Sequence, residues 1–393
     1  MVKLKVIKLE DEITLTYGKS LTKNKRIEGP FNVYGSNGVV GKHKEAIFKG
    51  PGVIIGRKGT VGSVVLSRED FYAIDTTYVL KLNNQNDDLI FWYYYLRTLG
   101  LEQMNSHSAV PGLSRDAVYK KEVKILNDIN VRKKVAATLS CLDDKIELNN
   151  QMNKKLEEIA QAIFKSWFVD FEPFQDGEFE DSELGRIPKG WRVGFLGDKC
   201  LSKLVKPGIK NFRGEKIYIA TADVENSNII NNTNKITLNN RPSRANMQPG
   251  TNTVWFAKMK DSRKLIFVDE FSKPILENYI FSTGFAGIEC LNNSLYYIWC
   301  ILLSKNFNSI KNNLCNGTTM QAINNDNIKK ISVIIPDSIN LKNFKEIMKP
   351  IFFKWYENFT QSQKLSQIRD TLLPKLMSGE IRVPIEEVQN GEE

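Results

Sequence analysis

The chain contains itself twice. Residues 108–125 (SAVPGLSRDAVYKKEVKI) align without gaps on 318–335 (TTMQAINNDNIKKISVII), a displacement of 210 positions. Asp116 falls on Asp326, Lys120 on Lys330 and Val123 on Val333. The apolar rhythm carries over too, with Val110, Leu113, Val118 and Ile125 matching Met320, Ile323, Ile328 and Ile335. An aromatic-rich run (LIFWYYYLRTLG, LYYIWCILLSK) precedes each window, and a helical pattern follows it. A duplication of this size requires two like domains, each closed by a helix, and presents one kind of surface twice.

The helices carry their own signature. Leu139, Leu142, Ile146, Asn149, Asn153, Leu156, Ala160, Ile163 and Trp167 recur at alternating spacings of three and four. That is the seam of a coiled coil. Displaced by 209, the same positions read Met348, Ile351, Trp355, Asn358, Ser362, Leu365, Arg369, Leu372 and Leu376. Both seams are polar in the middle, and buried polar seam residues fix register at a cost in stability. The two helices are therefore predicted to pair with each other. Because each follows its own domain on one polypeptide, a pseudo-two-fold arrangement needs them antiparallel, with Asn149 near Asn358.

The predicted architecture is α/β (α+β), with two domains and two long helices. Residues 1–128 read as short strands between Gly-rich turns, 129–169 as the central helix, and 170–187, rich in Pro, Gly and acids, as a linker. Residues 188–338 form the second domain, 339–377 the distal helix and 378–393 an acidic tail. The second domain is longer by about twenty residues, mostly in the Asn-rich stretch 226–240, which reads as a loop.

Fifty-five Lys and Arg against 45 Asp and Glu leave a net charge of +10, which favours a polyanionic partner. Five cysteines (Cys141, Cys200, Cys290, Cys300, Cys315), never spaced CxxC, and only two histidines argue against zinc and for a reducing compartment. No h-region or long apolar run suggests export or a membrane span, so a cytoplasmic protein is expected.

Catalytic motifs are missing. Gly18-Lys19-Ser20 would need Gly at position 13 to make a P-loop, and Ile13 stands there. Gly56, Gly59 and Gly62 lack the spacing of a dinucleotide fingerprint and read as a turn. HExxH, GxSxG, a Cys/His pair and the Asn/Asp-Pro-Pro-aromatic element of amino-methyltransferases are all absent from the sequence. Asp143, Asp144, Asp181 and Glu183 read as solvated charge.

Recognition chemistry remains. Arg57, Lys58 and Thr60 sit on a Gly-rich turn that permits close backbone approach, and Ser36, Asn37, Lys42 and His43 are similar in kind. The matching region of the second copy holds Lys258, Lys260, Arg263 and Lys264. The repeated window adds His107, Ser108, Ser114 and Arg115 in one copy and Asn316, Thr318, Thr319, Gln321, Asn324 and Asn325 in the other. Arg with guanine and Asn or Gln with adenine are the usual major-groove pairings. A scaffold whose repeated domains bind proteins is the alternative these residues leave open.

FKSWFVDFEPF, then Asp176-Gly177 and LGRIPKGWRV, closely resembles the central region of specificity subunits of type I restriction-modification enzymes, and LLPKLMSGEIRV resembles their distal region. The resemblance spans essentially the whole chain, although the first half opens at VKLKVIKLEDE without the Pro188-Lys189-Gly190-Trp191 motif that opens the second. It implies two target recognition domains, each reading half of a split, asymmetric DNA site, and a helix pair acting as ruler and as dock for two methyltransferase subunits. Those partners would bring S-adenosylmethionine, and restriction subunits would bring ATP- and magnesium-dependent cleavage, while this chain would be a non-catalytic reader without a cofactor. Val131 to Trp167 as a helix spans roughly 55 Å at about 1.5 Å per residue. Domains at its ends could meet grooves about one turn, ~34 to 36 Å, apart.

Overall fold

The computed structural model describes residues 3–104, 112–317 and 320–384. The chain divides into two compact units, Met1–Leu148 with Gln361–Glu393, and Asn149–Thr360. Each long helix, Ile129–Phe168 and Ser338–Met377, is shared between them.

The first unit is built on a four-stranded antiparallel sheet in the order Ile13–Tyr17, Thr77–Leu82, Gly52–Gly56, Val64–Ser67. A three-stranded sheet, Gly38–His43, Phe31–Gly35, Phe71–Ala73, includes one parallel pair. Leu4–Lys8 pairs with Glu122–Leu126, the strand that runs into the first long helix. Strands buried on both sides read as unbroken apolar runs, as GVIIG does here. The helix Leu89–Leu96 is apolar all round and therefore lies inside, its Asp88 cap accepting from the Phe91 amide at 2.8 Å.

Arg132, one turn into the first long helix, is 1% exposed. Its guanidinium pairs with Asp87, lies 3.8 Å from Glu12, and donates through Nε to the Leu126 carbonyl at 2.6 Å. Trp92 donates to the same Asp87 at 2.8 Å. Val135, Ala136 and Leu139 share this unit's core with Leu373, Leu376 and Met377 of the second helix. Asp143 accepts from Arg369 at 2.5 Å, and nearer the start of the first helix Lys134 reaches the Pro384 carbonyl. Along the first helix toward its start, the partner residue number therefore rises, which makes the helices antiparallel in this unit.

The second unit repeats the plan. Its four-stranded sheet runs Ser202–Leu204, Phe285–Cys290, Thr253–Ala257, Leu265–Val268, the order of the corresponding strands in the first. Arg192–Phe195 pairs with Ser332–Ile335 as Leu4–Lys8 pairs with Glu122–Leu126. The first half thus holds the counterpart of the Arg192 strand, Leu4–Lys8, although it lacks the PKGW motif. A second sheet contains the parallel pair Lys216–Ile219 and Tyr279–Ser282. Asn153 and Asn358 meet side chain to side chain, and Phe164 meets Phe344 with ring centroids 6.4 Å apart, so the helices are antiparallel here as well.

All the seam positions that the spacing marks out are buried or half-buried: Leu139, Leu142, Ile146, Asn149, Leu156 and Ile163 on the first helix, and Ile351, Trp355, Asn358, Leu365 and Leu372 on the second. Two stretches differ from their expectation. Residues 170–187 do not run as a bare linker, because Phe179–Ser182 forms a hairpin with Gly185–Pro188 while Phe171 and Phe174 pack on Trp191 at 5.8 and 5.0 Å. The Asn-rich stretch is not merely a loop either. Asp223 accepts from the Ala220 amide and from the side chains of Asn231 and Asn234, tying it to the short strands around Ile229 and Ile236.

Candidate nucleic-acid interface

In the first unit, the strand Gly52–Gly56 ends in the turn that carries Arg57, Lys58 and Thr60. Gly62 N and Gly56 N bond back to Gly56 O and Ser63 O at 2.8 Å, and Arg57 N donates to Thr76 O at 2.8 Å. Gly62 has φ +76° and a side chain there would strike the backbone of Leu101 and Glu102, so only glycine closes this turn. The amide of Leu113 donates to the Arg57 carbonyl at 2.9 Å, which draws the repeated window alongside. Arg115, two residues on, lies in the same place. The guanidinium carbons of Arg57 and Arg115 stand 5.0 and 5.3 Å from the centre of the Tyr17 ring. Tyr17 packs in turn on Tyr78 at 5.0 Å. Burial and the Tyr17 hydroxyl push the Tyr78 phenol up to about 12, against the pull of the two arginines.

The second unit places Lys258 where the first has Arg57. Ile323 N donates to the Lys258 carbonyl at 3.0 Å, as Leu113 N does to that of Arg57. Ser114 and Asn324, 210 positions apart, cap equivalent short helices by accepting from Ala117 N and Asn327 N. Burial lowers the Lys258 ammonium below its ordinary value, and the Arg244 charge adds to this. Beneath the loop, Lys311 is 2% exposed and donates to the carbonyls of Met259 and Ser262, holding the loop from inside.

The predicted contact residues thus fall into distinct groups. Lys58, Thr60, Asn37, Lys42, Lys260, Asn316 and Asn325 are exposed, while Arg57, Arg115, Lys258, Ser36 and Gln321 are half-buried at the same faces. His43 is turned inward. It is buried, its Nδ1 accepts from the Ile27 amide at 3.1 Å, and it packs edge-on to Tyr72, so it holds the strand and presents no contact. Lys264 donates to the Thr221 carbonyl and Arg263 to that of Leu303. The oxygens of Ser114 and Asn324 are occupied by their caps. His107, Ser108, Thr318 and Thr319 lie outside the described residues. Sequence reasoning overlooked Tyr17, Arg244 and Lys311. The signal for Tyr17 was its place at a strand end beside GKS, and for Arg244 the run NNRPSRAN.

Glu157 lies off the helix seam and is nonetheless half-buried. Its carboxyl is bonded to Ser227 and Trp355, faces Arg263, and is raised above its ordinary value by burial. Among the described residues no cluster of His, Cys, Asp and Glu could hold a metal, and no helix is long and apolar enough to cross a membrane.

One frame occurs twice, and each copy presents cations and amides on equivalent loops, the chemistry of a recognition protein. The family described as type I restriction modification DNA specificity domain matches residues 1–158. The chain is 30% identical over 321 residues to the type I restriction enzyme MjaIX specificity subunit of Methanocaldococcus jannaschii, covering 75% of this chain and 69% of that protein. It is 25% identical over 328 residues to the type I restriction enzyme HindI specificity subunit of Haemophilus influenzae, covering 69% and 71%. The crystal structure of a type I restriction-modification S subunit from M. genitalium shares the fold, with a TM-score of 0.57 at 17% identity over 96% of each chain. The chain belongs to the specificity subunits of type I restriction-modification systems. As in its relatives, its part is DNA recognition without catalysis.

Proposed function

We propose that this subunit reads a bipartite, asymmetric DNA site, one half with each α/β domain, and that its paired helices dock two methyltransferase subunits and, through them, restriction subunits. The observation that carries the reading is the equivalence of the Arg57 and Lys258 loops. Each is bonded through its carbonyl to the repeated window, and the side chains on the matched frames differ. One scaffold used twice with different loop chemistry reads two different half-sites, so the whole site is not a palindrome.

Residues 1–128 and 188–338 act as the reading domains. Between and after them, two helices of 40 residues each, roughly 60 Å at about 1.5 Å per residue, supply spacing and docking surface. S-adenosylmethionine, ATP and magnesium belong to the partners, and the assembly works in the cytoplasm. Expression of the chain with its methyltransferase subunit in a host lacking adenine methylation, followed by methylome sequencing, tests this. A single split motif with unlike halves is expected. Methylation of a palindrome, or none in the presence of a folded complex, would refute the reading.

A further inference from the structure

Two guanidiniums of the first unit share one aromatic ring. Tyr17 ends the strand Ile13–Tyr17, stands opposite Tyr78 in the ladder, and is 44% exposed. Arg57 arrives from the Gly-rich turn and Arg115 from the start of the short helix within the repeated window, and both lie over the Tyr17 ring. Arg115 is also 5.9 Å from the Tyr119 ring, whose hydroxyl accepts from the Leu15 amide at 2.8 Å, so the platform is anchored to the sheet. Neither arginine's Nε has a hydrogen-bond partner among the described residues. A guanidinium stacked on a ring loses the freedom of its long stem, and its planar fork of donors keeps one orientation. Such a fork matches the O6 and N7 acceptors of guanine in the major groove.

The second unit lacks this device at the equivalent place. Its ladder pairs Leu204 with Ile288, and the Val205 amide bonds to Gly287, so Lys206 occupies the position of Tyr17, opposite Ala286. Lys258 replaces Arg57 and Asn325 replaces Arg115. Lysines are mobile point charges suited to phosphate, and an Asn amide is suited to adenine. The aromatic platform is thus a property of one half only.

We propose that Tyr17 is a specificity-determining positioning residue, orienting Arg57 and Arg115 to read guanine in the half-site recognised by the first domain. This rests on the DNA-reading function proposed above. The test is selection of bound duplexes from a randomised DNA pool by the full chain co-expressed with its methyltransferase subunit. Wild type should select a split motif with guanine in one half. Tyr17→Leu should lower the preference for that guanine about tenfold or more while leaving the other half unchanged, and Tyr17→Phe, which keeps the ring, should retain it. Thermal unfolding reports whether Tyr17→Leu folds. If it does not, Arg57→Lys, which keeps charge and ring but loses the fork, should show the same relaxation.

A motif unchanged in the folded Tyr17→Leu protein overturns the proposal. So does a uniform loss of affinity over all sequences, which would mean phosphate contacts, or a loss in Tyr17→Phe equal to that in Tyr17→Leu. In each of these cases wild type still selects a split motif, and the DNA-reading function stands. Only failure of wild type to select any DNA removes both.

Discussion

The side-chain amide of Asn358 donates to Oδ1 of Asn153 at 2.9 Å, and that of Asn153 donates to the Trp355 carbonyl at 3.1 Å. Asn149 adds a third amide bond, to the Asn358 carbonyl at 3.3 Å. All three asparagines are buried between apolar turns. A slide of one helix by a turn would strand these groups without partners, so the polar cluster sets register where leucines alone would tolerate slippage.

Removal of one partner is costlier than removal of both. Asn153→Leu leaves the Asn358 amide buried without its acceptor and should destabilise the second unit by ~1–3 kcal/mol. Asn153→Leu with Asn358→Leu should recover part of that loss and broaden the register. Denaturant unfolding of both variants measures the first effect. Cysteine crosslinking between the helices measures the second, and a double variant weaker than the sum of its parts would contradict this account.

The buried Arg132 supports the junction of helix and sheet in the first unit. Its pairing with Asp87, with Trp92 as a further donor to that carboxylate, is shielded from salt. Arg132→Met should leave Asp87 uncompensated and cost about 3–5 kcal/mol. Chemical denaturation should show this loss to be nearly the same at low and high ionic strength, unlike that of an exposed pair such as Lys155–Glu158.

Asp269 predicts a pH effect with a definite sign. Burial raises its carboxyl above the ordinary 3.8 despite bonds from Ser272 and Phe271. A raised acid favours the folded state when protonated, so its contribution is greatest below 3.8 and is lost as pH climbs through the folded value. Asp269→Asn keeps the acceptor for those donors and removes the buried charge. It should raise the melting temperature at neutral pH and change little near pH ~3. An equal shift at both would show that charge is not the cause.

The parts legible in the sequence were those written in local period. Leu113 with Ile323, and Val118 with Ile328, are buried in both copies as their rhythm requires, and Asp128 and Asp337 accept backbone amides at the starts of the two long helices. What escaped depends on where distant strands bring side chains. Tyr17 meets Arg57 and Arg115 through sheet and turn contacts that no periodicity encodes. Lys311 and Arg132 look like solvated helix charges, and only the carbonyls and carboxylates around them reveal burial. Glu157 lies off the helix seam but under a domain, because the helix buries a wider stripe where it also packs on Ser227. His43 ends a strand whose register shift breaks simple alternation, and only its contacts with Ile27 and Tyr72 show that it turns inward.

The same point separates assembly from folding on the helices. Ile159 is 48% exposed, and Lys155, four residues earlier on the same helix face, is exposed too. Ile159→Asp should therefore leave the free energy of unfolding within about 0.5 kcal/mol of wild type and reduce capture of the methyltransferase subunit. Glu157→Lys should instead destabilise the second unit, because it places a cation among Ser227, Trp355 and Arg263. Native mass spectrometry beside thermal unfolding distinguishes the two. Equal stoichiometry for Ile159→Asp and wild type would move the docking surface elsewhere.

Arg57→Ala and Lys258→Ala should diverge in how they weaken DNA binding. The stacked Arg57 offers a directed fork, so its loss should cost ~1–3 kcal/mol on the preferred sequence and much less on others. Lys258 sits beside Arg244, and burial lowers its ammonium below the ordinary value, so a phosphate brought near would offset both the burial and the neighbouring positive charge. Its removal should weaken all sequences alike and reduce the slope of log affinity against log salt by about one phosphate contact. Fluorescence anisotropy on cognate and scrambled duplexes across a salt series, with the full chain in its methyltransferase complex, reads both quantities. If both variants bind like wild type, the DNA-facing surface lies away from these loops, and the exposed Lys58, Lys260 and Asn325 on the same faces lose their assignment with them.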